Sequence, residues 1–259
     1  MWPPPALGTW VIDLDGVIWL AGEPIDGVDV AVADLRAAGV RVLFATNNSA
    51  PTRAEYHERM TRCRIPTEDA DLLSSADVVA EMLPVGSTAL VLAEAGVREA
   101  LVRRGVTMVD GGHADAVVVG WTRSFTFDAV ALAARTVRQG ARFIGTNEDP
   151  THPTPDGLLP GTGALLAAVA TAAETRPEVA GKPHLPTAEA VRSRASDLRV
   201  MVGDRPATDG ILAEQLGIPF ALVLSGVTDA AHVPTDPEPA TVAKDLATLV
   251  QTTLEQRAN

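Results

Sequence analysis

An apolar run, Trp10-Val11-Ile12, breaks into Asp13-Leu14-Asp15-Gly16. Such a run reads as a short buried strand, and strand side chains alternate between faces. Asp13 and Asp15, two residues apart, therefore face the same side where the strand runs out. Two like charges that close are unfavourable unless a cation sits between them or one holds a proton. Gly16 lets the chain turn at once afterwards. Taken alone, such a stretch is most often only a turn. Two further apolar runs also end in chemistry, however. Residues 40–45 lead into Thr46-Asn47-Asn48-Ser49, and residues 198–203 lead into Asp204-Arg205.

The elements that must hold these ends alternate along the chain. Apolar runs predict strands near residues 10–12, 40–45, 71–75, 88–93, 106–109, 116–119, 142–145, 198–203 and 219–224. Helical spacing predicts helices over 29–38, after Pro51, and over 76–83, 97–104, 127–139, 164–173 and 187–194. Another reaches Leu216, and an amphipathic one closes the chain. Residues 22–27, 146–163 and 234–239 read as loops. The fold class is α/β, a doubly wound parallel sheet with helices on both faces. Ligands bind such sheets beyond the carboxyl ends of the strands. The three chemical ends would then share one edge of one sheet, and that convergence is much harder to dismiss as turn chemistry.

Composition narrows the partners. The chain has 259 residues, 46% hydrophobic, with a formal net charge of −12. It is globular, and its charge disfavours nonspecific binding to nucleic acid or to an anionic membrane. Cys63 is the single cysteine, so neither an intrachain disulfide nor a cysteine zinc site is available. The first basic residue is Arg36 and the most apolar helical run, 164–173, is far too short to span a bilayer, so a cytoplasmic protein is expected. Only Lys182 and Lys244 are lysines, every other basic residue being arginine. Lys182 lies in the uncharged setting Val179-Ala180-Gly181-Lys182-Pro183, where a compact ammonium suits a site that a planar guanidinium would not fit.

Asp13, Asp15 and Asp204 form an oxygen set suited to Mg²⁺, which takes a few carboxylates and keeps waters and a substrate phosphate oxygen. A carboxylate can attack phosphorus to give an aspartyl-phosphate, while a second protonates the leaving oxygen and later takes a proton from water. Lys182 and Thr46 would hold the equatorial oxygens of the transferring group.

In order along the chain stand Asp13-Leu14-Asp15-Gly16-Val17-Ile18, Thr46-Asn47-Asn48-Ser49, Gly181-Lys182-Pro183, and Gly203-Asp204-Arg205 with Thr208-Asp209. This set resembles the four motifs of the haloacid dehalogenase superfamily, most closely its nitrophenylphosphatase-like branch, subfamily IIA. Val119-Gly120, Phe125-Thr126-Phe127, Gly145-Thr146-Asn147 and Pro160-Gly161-Thr162-Gly163 are similar to that branch's cap signatures. The resemblance implies a Rossmann-like core, 1–83 and 181–259, with an inserted α/β cap domain, 84–180.

It also implies roles. Asp13 would be nucleophile and metal ligand. Asp15 would be the acid/base and lend its backbone carbonyl to the metal. Asp204 would be the third protein ligand, with Asp209 behind it orienting metal waters. Thr46 and Asn47, with Asn48 beside them, would bind the phosphoryl group that Lys182 neutralises, and His152 falls in the substrate-specificity loop. The remaining histidines read as surface residues, and Gly161 as a cap hinge or the start of a helix.

The implied activity is a Mg²⁺-dependent phosphatase acting on a small phosphorylated metabolite. Candidates are glycerol 3-phosphate, phosphoglycolate, pyridoxal phosphate, nucleotides and sugar phosphates, with nitrophenyl phosphate as an artificial substrate. A phosphotransferase or mutase, or a non-catalytic phosphate-binding protein on the same fold, is the alternative; a homodimer is left open. The chain departs from the branch at Gly210, where an apolar β-branched residue is usual, at Thr122, usually Asp, and at Glu148, usually Pro.

Overall fold

The computed structural model describes Trp2, residues 8–154 and residues 157–258. In chain order, β1 (Gly8–Ile12) is followed by a ribbon of β2 (Trp19–Leu20) and β3 (Glu23–Pro24), then α1 (Val28–Ala37), β4 (Val40–Thr46), α2 (Arg53–Arg62), β5 (Leu72–Ser74) and α3 (Ser75–Glu81). Next come β6 (Thr88–Leu92), α4 (Ala95–Arg104), β7 (Thr107–Val109), β8 (Ala116–Val119), α5 (Phe127–Arg138) and β9 (Arg142–Gly145). A hairpin of β10 (Thr151–Thr154) and β11 (Gly157–Pro160) precedes α6 (Thr162–Ala173) and β12 (Glu178–Val179). The chain continues with α7 (Leu185–Arg194), β13 (Leu198–Gly203), α8 (Ile211–Leu216), β14 (Phe220–Val223), β15 (Thr241–Ala243) and α9 (Leu246–Ala258).

Contacts divide the chain into two compact units. The first comprises Met1–Thr46, Tyr56–Leu73 and Ala188–Asn259. Its sheet has the order β15-β14-β13-β1-β4-β5, and β1 pairs in parallel with both β13 and β4. The carboxyl ends of β13, β1 and β4 therefore lie side by side. Both faces of these strands are covered, as a parallel sheet requires. Trp10, Ile12, Val42, Phe44, Val200 and Val202 pack there with Leu35 of α1, Tyr56 and Met60 of α2 and Leu249 of α9.

The second unit comprises Asn47–Glu55 and Ser74–Thr187. Its sheet, β12-β9-β8-β6-β7, is parallel throughout. Val117, Val119 and Phe143 pack against Ala133 and Val137 of α5 and Leu166 and Val169 of α6. Residues 47–55 and 74–83 join this unit because α3 packs on α4 and the Gly96 N–H donates to the Ala50 carbonyl at 2.9 Å. The Ser74 cap of α3 is a reciprocal one, with the Asp77 carboxylate returning to the Ser74 N–H.

The long predicted strands and helices form within a few residues of their expected bounds. Short paired elements differ. Residues 146–163 read as a loop, yet they carry the antiparallel hairpin β10–β11, with Thr151 opposite Pro160 and Thr154 opposite Gly157. Its prolines hide it, because proline is tolerated at a sheet edge and both strands of a two-stranded ribbon are edges. The ribbon β2–β3 and the short strands β12 and β15 are likewise too brief to give a periodic signal. Among the described residues no helix is long and apolar enough to cross a membrane.

Candidate active site

In the first unit, β1 ends at Ile12 and delivers Asp13, whose N–H donates to the Val202 carbonyl at 2.9 Å. One carboxylate oxygen each from Asp13, Asp204 and Asp209 lies within 4.8 Å of the others. All three residues are buried, Asp13 at 7%, Asp204 at 2% and Asp209 at 0% exposure. At an effective dielectric of about 20, each such pair of ionised carboxylates repels by roughly 3 kcal/mol. Hard oxygen donors alone, gathered under that penalty, fit a divalent cation of the Mg²⁺ or Ca²⁺ type.

The backbone fixes each carboxylate. Asp204 Oδ2 accepts the Val227 N–H at 2.6 Å, and its carbonyl accepts Thr228 Oγ1 at 2.6 Å. Asp209 Oδ2 accepts the Arg205 N–H at 3.1 Å from a turn of π-helix, Pro206–Gly210, that inserts an extra residue between Asp204 and α8. Such π-turns recur at functional sites. The sequence pattern marks the segment after β14 only as the exit from a strand, yet it is the wall of the cluster. Ser225 Oγ donates to the Gly16 carbonyl at 2.7 Å, and a side chain at Gly226 would run into the Asp204 carboxylate. The available signal is a fourth strand of the same sheet, β14, followed closely by Ser225-Gly226.

Asp15 is placed differently. It is exposed, its Oδ1 accepts the Trp19 indole N–H at 2.9 Å, and its Oδ2 lies 3.5 Å from Thr46 Oγ1 at the end of β4. The Trp19 indole thus orients the Asp15 carboxylate. The two carboxylates of the opening motif share a strand end but not an environment. Gly210 is accounted for as well: a Cβ there would meet Phe220 and Pro237 at 3.2 Å, so these two occupy the space of the larger residue usual in the branch.

In the second unit, Asn47 follows Thr46 by one peptide bond and is buried. Its Oδ1 accepts the Lys182 N–H at 2.7 Å, and its Nδ2 donates to the Lys182 carbonyl at 3.0 Å and to the Asp149 carboxylate at 3.3 Å. Asn48 Oδ1 accepts the Ala50 N–H at 3.2 Å, a local turn. Lys182 is 3% exposed. It follows β12, where Glu178 pairs with Arg142 at 2.8 Å; hydrogen bonds from that guanidinium hold the Glu178 carboxyl below its usual range. His152 sits on β10, its ring 4.6 Å from that of Trp121, whose indole N–H donates to the Pro160 carbonyl at 3.1 Å. Thr122, in place of the usual Asp, donates its hydroxyl to Glu94 at 2.8 Å.

The close backbone approach at Gly226 gives a test. Gly226→Ala keeps the charges and the fold's pattern but pushes on the Asp204 carboxylate. Overpacking of this kind costs about 1–3 kcal/mol. Thermal unfolding should fall accordingly, and divalent-cation affinity, read by calorimetry, should drop about tenfold or more. An unchanged affinity would mean that Gly226 does not shape the cluster.

Residues 10–107 match the family model of haloacid dehalogenase-like hydrolases, and residues 179–249 match a second, HAD-hydrolase-like model. The chain is 34% identical over 245 residues to the 5'-nucleotidase YutF of Bacillus subtilis, covering 92% of this chain and 95% of that one. Among solved structures, a p-nitrophenyl phosphatase from Archaeoglobus fulgidus superposes with a TM-score of 0.89 at 28% identity, covering 96% of this chain and all of that one. The glycerol phosphate phosphatase Rv1692 of Mycobacterium tuberculosis, solved in complex with calcium, gives 0.84 at 31% identity, over 93% of this chain and 74% of that one. The carboxylate cluster at the strand ends and these matches along nearly the whole length agree: the chain belongs to the haloacid dehalogenase superfamily, in its nitrophenylphosphatase-like branch, subfamily IIA.

Proposed function

We propose that this phosphoric monoester hydrolase cleaves small phosphorylated metabolites through a phosphate ester on Asp13, with Mg²⁺ as its cation. The observation that carries the reading is the pairing of a buried carboxylate inside the cluster, Asp13, with an exposed one outside it, Asp15. Asp13 attacks phosphorus through a carboxylate oxygen, and the bond from phosphorus to the leaving oxygen breaks. Asp15, held by Trp19 and close to Thr46, gives its proton to that leaving oxygen. It then takes a proton from water as the water oxygen bonds to phosphorus and the bond to Asp13 breaks. Inorganic phosphate leaves, and both carboxylates return to their starting states.

Asp13, Asp204, Asp209 and the Asp15 backbone carbonyl would hold Mg²⁺, which supplies charge neutralisation for the phosphoryl oxygens. Thr46 through its hydroxyl, Asn47 through its backbone N–H, the Asn48 turn behind them and Lys182 through its ammonium hold the same group. Segment 84–180 works as the cap, and the Trp121–His152 pair contacts the leaving group. Nucleotides and glycerol phosphate, given the named activities of the relatives, and sugar phosphates beside them are the substrate classes to test.

Two experiments test this reading. Asp13→Asn and Asp15→Asn are incubated briefly with nitrophenyl phosphate and Mg²⁺ and examined by intact-mass spectrometry. Nitrophenolate leaves without a proton, so the Asp15 variant should accumulate one phosphate adduct and the Asp13 variant none. An adduct on the Asp13 variant, or near-normal turnover by either, contradicts the roles. Separately, Trp121→Ala and His152→Ala should reorder kcat/KM across a metabolite panel by about tenfold between substrates, with nitrophenyl phosphate changed least. Equal losses on every substrate would place the pair in the chemical step or the fold.

A further inference from the structure

Lys182 is held by its backbone, and the group that holds it is itself held. The Asn47 side-chain amide makes two opposed hydrogen bonds to Lys182, accepting from its N–H at 2.7 Å and donating to its carbonyl at 3.0 Å. This is the exchange that one residue of an antiparallel pair offers its partner, and it fixes the backbone on both sides of the Lys182 Cα. The direction in which the lysine side chain departs is thereby set.

The Asn47 carbonyl in turn accepts two buried donors, Ser75 Oγ at 2.6 Å and Asn147 Nδ2 at 2.7 Å. Ser75 is 1% and Asn147 4% exposed. Asn147 is anchored at its other end, its Oδ1 accepting the Asp149 N–H at 3.2 Å. The Lys182 segment also lies along the end of β9, with the Gly181 N–H on the Thr146 carbonyl at 2.8 Å. A Cβ at Gly181 would stand 2.6 Å from Asn47 Oδ1 and 3.0 Å from Asn147 Cβ, so the approach admits only glycine.

We infer that Asn147, together with Ser75, is a positioning residue for phosphoryl transfer, acting through Asn47 to fix Lys182. The inference rests on the phosphate-neutralising role proposed for Lys182. Asn147 stands at the carboxyl end of β9, beyond Gly145-Thr146, and reaches Lys182 through Asn47. Removing its donor takes one of two buried hydrogen bonds from the Asn47 carbonyl and loosens the backbone from which the amide grips Lys182. A displaced ammonium loses most where charge develops, in the transition state, and misplacement by about 1 Å can cost up to a hundredfold in rate.

The test is a double-mutant cycle between Asn147→Ala and Lys182→Met, read on kcat and KM for nitrophenyl phosphate with Mg²⁺. The same cycle is run on calorimetric affinity for orthovanadate, which reports on the ammonium even where turnover is very slow. Asn147→Ala alone should lower kcat and vanadate affinity about tenfold or more while KM moves less than about threefold. In the Lys182→Met background it should change neither by more than about twofold. Equal losses in both backgrounds would overturn the inference. Ser75→Ala, which removes the other donor to the same carbonyl, should give the same pattern. Collapse of cooperative unfolding in both variants would make the role structural and also overturn it. Lys182→Met alone separates the two readings: unchanged turnover there sinks the functional role of Lys182, whereas a crippled Lys182→Met with additive Asn147→Ala losses sinks only this inference.

Discussion

Three carboxylates held within 4.8 Å of one another in a nearly water-free place are the constraint on which this molecule depends. Such a set is tolerable only if a cation joins it, or if protons do. Everything around it resists the repulsion. Parallel pairing of β1 with β13 brings Asp13 and Asp204 to adjacent strand ends. The Val227 and Arg205 N–H groups take one oxygen each of Asp204 and Asp209, so the repulsion cannot relax by side-chain rotation without losing a hydrogen bond. A side chain at Gly226 is excluded because the chain passes directly against Asp204. The fold's net charge of −12 makes local neutralisation more necessary still.

The surroundings of Lys182 are organised by neutral hydrogen bonding. One asparagine amide holds the backbone of one lysine, and two buried donors hold that asparagine's carbonyl. Networks of this kind are stiff because a missing member leaves a buried polar group unpaired. Thr46 and Asn47 are successive residues, so the hydroxyl near Asp15 and the amide that grips Lys182 are one peptide link apart along the chain. The groups proposed to act on phosphate are therefore few, but many ordinary backbone groups decide where they point.

Much of this is legible in the sequence, for physical reasons. Buried parallel strands are continuous apolar runs, so β1, β4, β8, β9 and β13 announce themselves, and residues at their carboxyl ends are natural site candidates. Asp209 comes from resemblance to a family motif, and its membership of the carboxylate cluster is now a distance. Illegible features are those with no periodicity or no local cause. The hairpin β10–β11 hides behind prolines, and β12 and β15 are too short to show a pattern. The pairing of Trp19 with Asp15 depends on a tight turn that composition does not encode. The hold of Ser225-Gly226-Val227 on Asp204 joins residues more than twenty apart, and that of Asn147 on Asn47 a hundred apart. Neither can be seen without the fold.

The most direct measurement is calorimetric titration of Mg²⁺ into chelator-stripped protein at neutral pH, beside the Asp204→Asn and Asp209→Asn variants. One ion per chain is expected, bound at least about tenfold more weakly when either carboxylate is neutralised, with thermal unfolding of the unsubstituted protein rising as Mg²⁺ is added. Absence of binding in the unsubstituted protein, or equal affinity in all three, would contradict it.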